Sequence, residues 1–186
     1  ATEHLIRNGY RRIAHITNAP GLSITRERLE GYQAALQAHG IAFDPRLVYY
    51  CNHGGMLFEE IEDAIKSILA EKNRPDALLA ASDRISTGSL KAIRQAGCLV
   101  PDDLAVIGFT NSNVPELFDP PLSTVRQPAL EMGQAATELL IQMIESKRPV
   151  TEFESRVLET ELFIRESSAP RKQAGTRRSR TGSKAG

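Results

Sequence analysis

The chain has 186 residues, with 23 Lys and Arg against 23 Asp and Glu, so its formal net charge is zero and it lacks the overall basic footprint of a nucleic-acid binder. Its 41% hydrophobic and 25% charged content is that of an ordinary soluble globular chain, and no apolar run approaches the roughly 18 residues of a membrane helix. Two cysteines, Cys51 and Cys98, are too few for a disulfide framework and fit a reducing cytoplasm.

In chain order, residues 1–8 (ATEHLIRN) read as the end of a helix capped by Gly9. Residues 13–17 (IAHIT) form a short β-rich run. A helix is predicted from Thr25 to His39, with Leu29, Tyr32 and Leu36 on one face and Gly40 as its stop. LVYY at 47–50 is the next strand. From Leu57 to Glu71 the apolar residues Leu57, Ile61, Ile65, Ile68 and Leu69 recur at helical spacing. ALLAA at 77–81 is continuously apolar, as a strand covered on both faces should be. Ser82 and Asp83 then open a helix that runs to about Ala96, where Gly97 ends it. LAVIGF at 104–109 is another buried strand.

These strands start about 30 residues apart, the size of a βαβ crossover, which predicts an α/β fold: an open parallel sheet with helices on both faces. After Phe109 the pattern changes. A turn-rich stretch leads to a short strand in PLSTVRQP. Pro128 then opens a helix over 129–145, with Leu130, Ala136, Leu140 and Ile144 on a broad apolar face. RVLETELFI at 156–164 alternates as an exposed or edge strand should. The helix ending near residue 8 and the helix 129–145 have no sheet of their own and suit a second lobe.

Charge is unevenly distributed. Residues 171–186 hold six of the 23 cations and no acid, which leaves the first 170 residues with 17 cations against 23 acids. The stretch has no large apolar side chain and reads as a disordered basic tail.

Ligands of open α/β sheets bind beyond the carboxyl ends of the strands. Arg28 stands there as a five-donor fork for ligand oxygens, or as a surface cation paired with Glu27 or Glu30. Ser82 and Asp83 can bind polar groups, although capping the helix accounts for one of them. Asn111 and Asn113 can offer amides or simply shape a turn. Met56 can supply a soft apolar wall or begin the next helix. His15, inside a strand, reads as a satisfied core histidine. Glu59-Glu60 lie on a solvated helix face and Asp102-Asp103 in a polar turn. There is no GxGxxG, P-loop, GxSxG or HExxH, and the four histidines lack metal-ligand spacing. The reading is therefore a binding cleft without catalysis, cofactor or metal.

Taken together, HLIRNGYRRIAHI, TRERLEGYQAAL, RPDALLAASDRISTGSLKAI, VPDDLAVIGF, PPLSTVRQP and FIRESS resemble the effector-binding core of the lactose-repressor/galactose-repressor family of bacterial transcription regulators. The resemblance covers residues 1 to about 168. It implies two Rossmann-like lobes of the periplasmic-binding-protein type around a small-molecule, sugar-like effector. On it, residues 1–9 end an amino-side lobe and 10–126 form the carboxyl-side lobe. Residues 127–155 return to the amino-side lobe, 156–168 cross between the lobes, and 169–186 are the tail. It places effector contacts on Arg28, Met56, Ser82, Asp83, Thr110 and Asn111. The family's aspartate after the Gly-aromatic pair falls on Thr110, which offers one hydroxyl instead of a carboxylate. The resemblance further implies a cytoplasmic homodimer, joined through 57–71, 84–96 and Phe118–Leu122. Operator DNA would be bound by a helix-turn-helix outside this chain. A periplasmic or chemoreceptor sugar-binding protein of the same fold is the second reading, and a sugar- or nucleotide-modifying enzyme the third.

Overall fold

The computed structural model describes residues 1–111, 118–146 and 154–171. Asn113 and residues 172–186 of the basic tail lie outside them. The elements run α1 (Thr2–Arg7), β1 (Ile13–Asn18), α2 (Ser23–Ala38), β2 (Val48–Cys51), α3 (Phe58–Ala70), β3 (Ala77–Ala80), α4 (Asp83–Gln95), β4 (Ala105–Phe109), β5 (Ser123–Arg126), α5 (Ala129–Glu145) and β6 (Glu161–Phe163). One six-stranded sheet has the order β2-β1-β3-β4-β5-β6. The first five strands are parallel, as predicted, and β6 pairs antiparallel to β5 at the edge. The open parallel sheet with helices on both faces is thus present, and the strand expected at its edge joins it in the antiparallel sense. The alternation over 156–164 also exceeds what pairs: among the described residues only Glu161–Phe163 find partners on β5.

Period-two alternation sorts the sheet's side chains into two cores. Ala14, Ile16, Leu78, Ala80 and Val106 pack against Ile61, Ile65, Ile68, Ile85 and Ile93 of α3 and α4. Ile13, Ala77, Leu79, Ala105 and Ile107 pack on the other face against Leu5, Ile6, Tyr32 and Leu36 of α1 and α2. Both α2 and α4 end in paired backbone bonds, Ile41 N to Leu36 O with Gly40 N to Gln37 O, and Cys98 N to Ile93 O with Gly97 N to Arg94 O. Such an ending needs a left-handed residue, and Gly40 and Gly97 sit at φ +66° and +72°. Leu122, expected at a dimer surface, is instead fully buried in the core beside α3 and α4. None of the residues of α5 is buried among the described residues, so its apolar face is left largely exposed there.

A strap of chain after β6 binds the first helix to the sheet. Ser167 Oγ donates to Val106 O (2.7 Å) and accepts from Ser123 N (2.7 Å). Ser168 Oγ lies 2.9 Å from His4 Nε2 and 2.6 Å from Ser123 Oγ. Asn8 Nδ2 donates to Ser168 O (2.8 Å) and lies 3.0 Å from His4 Nε2, so that nitrogen carries the lone pair. Burial lowers the pKa of His4, in keeping with the neutral ring. Further on, Tyr10 Oη donates to Ala169 O, and Arg171 bonds both Asn8 O (2.9 Å) and Asp76 (2.5 Å). The described part of the tail, Arg171, is therefore fastened to the body by an ion pair.

Candidate functional site

Chain order reverses between β2-β1 and β1-β3, so the loops leaving the strands diverge and open a crevice at their carboxyl ends. A cleft of about 690 Å³ lies there, lined by Asn18, Ile24, Arg28, Ser82, Asp83, Thr87, Phe109, Thr110, Asn111 and Gln127. They come from the ends of β1, β3, β4 and β5 and from the first two turns of α2 and α4. Of the residues singled out in the sequence, Arg28, Ser82, Asp83, Thr110 and Asn111 converge on this cleft.

Arg28 is half-buried on α2 and does not pair with Glu27 or Glu30; Arg26 takes Glu30 instead (3.8 Å). Its guanidinium lies 4.1 Å from the centroid of Phe109 and donates through Nη1 to Ala81 O. Stacking and one bond fix its plane, while its other N–H groups have no hydrogen-bond partner among the described residues. Burial lowers its pKa, but a guanidinium remains charged throughout. The sequence places Phe109 at the end of a strand, in the Gly-aromatic pair before Thr110, without assigning it a contact. Its position after Gly108 was the available signal for an aromatic wall.

Ser82 accepts from Ile85 N through Oγ (3.4 Å), a long N-cap bond. Ser86, fully buried one turn on, donates to Ser82 O (2.6 Å) and accepts from Phe109 N (3.0 Å). It thereby pins the end of β4 to the start of α4. This is possible because Gly108 has no side chain: a methyl there would meet Ser86 Oγ at 2.4 Å. The clamp brings Asp83 and Thr110 together, and the Thr110 hydroxyl donates to Asp83 Oδ1. Thr110 is held in turn from β5, its N–H donating to Thr124 Oγ1 (2.9 Å) and its carbonyl accepting from the same hydroxyl (3.1 Å).

The side chain of Asn111 is spent on the backbone. It accepts from Gln127 N (2.9 Å) and donates to Gln127 O (3.0 Å), extending the β4–β5 pairing by one rung. Asn111 thus positions Gln127, a cleft residue that sequence reasoning missed. Asn18 also lines the cleft, and its Oδ1 is buried without a partner.

Met56 does not join the cleft; it is 67% exposed on the loop between β2 and α3. Glu60 holds that loop by accepting from Asn52 N (3.2 Å), His53 N (3.1 Å) and His53 Nδ1 (2.9 Å). The loop packs by Gly55 on α4, where a methyl would lie 3.1 Å from Arg84 Cβ. Met56 is carried outward on it.

His15 is a core residue, but only half satisfied. It is fully buried, stacks on Tyr32 at 5.2 Å between ring centroids and lies with Nδ1 3.1 Å from Leu79 O. A carbonyl only accepts, so Nδ1 carries the proton and Nε2 is left without a partner. Burial, reinforced by the charge of Arg28, pushes its pKa down to about 4.

The periplasmic binding protein-like domain family matches residues 2–168. The chain is 38% identical over 167 residues to the HTH-type transcriptional regulator CelR of Thermobifida fusca, covering 90% of this chain and 48% of that protein. It is 36% identical over 170 residues to the ribose operon repressor of Haemophilus influenzae, covering 90% and 49%. Among solved structures, the CelR–cellobiose complex matches with a TM-score of 0.80 over 90% of this chain and 50% of the other, at 38% identity. The transcription regulator CcpA of Lactococcus lactis matches with a TM-score of 0.78 at 30% identity, over 89% and 59%. The chain spans about half the length of the curated relatives it matches.

Proposed function

The chain belongs to the periplasmic binding protein-like domain family, in the form carried by lactose-repressor-type regulators, and from that premise we propose that it senses a sugar-like small molecule for a bacterial transcriptional regulator. The observation that carries this reading is the convergence of Arg28, Ser82, Asp83, Thr110 and Gln127 on one cleft at the carboxyl ends of the strands. Such a cleft offers scattered donors and acceptors beside an aromatic wall, which suits a polar small molecule. The relative CelR was solved with cellobiose, which makes that disaccharide the first ligand to try.

The mechanism is linkage. An effector held between this cleft and a second lobe favours one lobe arrangement, and the arrangement sets the spacing of paired DNA-reading heads. A coupling of about 1–3 kcal/mol, typical of allosteric proteins, changes operator affinity by roughly 5–150-fold. The protein would act as a cytoplasmic homodimer without enzymatic activity, and operator DNA would be gripped by a helix-turn-helix outside these residues. No helix among the described residues is long and apolar enough to cross a membrane. The transport-protein alternative is not favoured, since the relatives above are regulators.

A gel-shift titration of the full-length regulator on DNA upstream of its own operon, with and without cellobiose, tests this. A retarded band whose midpoint moves at least fivefold with the sugar is expected. No retarded band under either condition would sink the reading.

A further inference from the structure

The cleft contains one cation and one anion among its described lining residues, Arg28 and Asp83. Its other polar groups are neutral: the amides of Asn18, Asn111 and Gln127 and the hydroxyls of Ser82, Thr87 and Thr110. An anionic ligand would gain Arg28 but meet the Asp83 carboxylate, whereas a neutral polyhydroxyl compound can use both. The resemblance left a gap here, since the carboxylate expected after Phe109 is replaced by Thr110.

We propose that Asp83 is the hydroxyl-accepting carboxylate of this cleft, that Thr110 is its positioning residue, and that the ligand is therefore a neutral saccharide with vicinal hydroxyls rather than a phosphorylated or carboxylated one. The inference rests on the effector-sensing reading above. Thr110 donates to Asp83 Oδ1 and is itself only 4% exposed, clamped on both sides of its peptide by Thr124. One donor thus fixes the carboxylate plane. Oδ2 accepts no bond among the described residues, and each carboxylate oxygen has two lone-pair sites, so at least two ligand hydroxyls can still be accepted. Bonds to an ionised acceptor are shorter and stronger than those to a neutral hydroxyl. The threonine at 110 therefore moves the carboxylate to the first residue of α4 instead of removing it.

The test is calorimetric titration of the full-length regulator with cellobiose, glucose and glucose 6-phosphate, alongside Asp83→Asn, Thr110→Val and Thr110→Ser, with unfolding temperatures of each. A neutral sugar should bind, and the phosphate should bind no tighter than its parent. Asp83→Asn should weaken the neutral sugar at least tenfold and Thr110→Val about threefold, with Thr110→Ser near the parent affinity and little change in unfolding temperature. If the neutral sugar binds and Asp83→Asn stays within twofold, or the phosphate binds tenfold tighter than glucose, this inference is overturned and the sensing function stands. Should none of the three sugars bind, the sugar-sensing reading and this inference fail together.

Discussion

Replacing His15 by Phe should flatten the acid side of the stability curve. The ring is fully buried and neutral, with Nδ1–H on Leu79 O and Nε2 unpartnered. In the unfolded chain an imidazole takes a proton near pH 6.5; in the folded chain this one resists until about pH 4. Between those values the unfolded state binds more protons, so stability is complete above pH 6.5 and is lost as pH falls towards 4. A gap of about 2.5 units at about 1.4 kcal/mol per unit makes the loss on the order of 3 kcal/mol. Phenylalanine keeps the stack on Tyr32, removes an orphaned nitrogen and gives up one bond, so at pH 7 the variant should lie within about 1 kcal/mol of the parent. Urea unfolding followed by circular dichroism at pH 7, 5.5 and 4.5 measures both curves. Every other ionisable group is common to both proteins and cancels in the difference. Parallel curves, or a His15 ring that titrates near pH 6.5 in the folded protein by NMR, would refute the reasoning.

The two glycines of tight approach should behave differently. Gly108→Ala drives a methyl to 2.4 Å from Ser86 Oγ and 2.7 Å from its Cβ, atoms close to the backbone, and should cost about 3 kcal/mol in urea unfolding. Gly88→Ala meets Ile61 alone, most closely its terminal Cδ1 at 2.6 Å, and gains about 1 kcal/mol of helix propensity, so its net change should stay within about 1 kcal/mol. Ser167→Ala strips partners from the buried Ser123 N and from Val106 O and should cost about 2 kcal/mol, with faster hydrogen exchange at the Ser123 amide. Arg28→Lys keeps the charge but loses the planar stack on Phe109, and calorimetry should show saccharide affinity about tenfold weaker with a small shift in unfolding temperature.

The sheet was legible because its central strands are apolar without interruption. ALLAA and LAVIGF leave little room for another assignment, and burial on both faces is what they show. The edge was less legible, since alternation reports a half-exposed backbone but not how far a partner extends. The lining of the candidate cleft was legible where a residue follows a strand directly, as Ser82, Asp83, Thr110 and Asn111 do. It was not legible where position depends on a distant clamp. The role of Asn111 emerges only through Gln127, 16 residues further on. Met56 is carried out of the cleft by a carboxylate, Glu60, that looked like part of a solvated helix face.

The strap through Ser167, Ser168 and Ala169 has a consequence for the order of events during synthesis. Chains emerge from the ribosome amino end first, and early segments begin folding before late ones exist. Here α1 and the start of β1 are made before the strap, and His4, Asn8 and Tyr10 meet Ser168 and Ala169, made some 160 residues later. The β1–β5 sheet can assemble without the strap, but the Ser123 amide and the Val106 carbonyl then wait for Ser167. A chain ending before residue 167 should therefore present a sheet on which α1 is still loose, and extension through residue 171 should lock it.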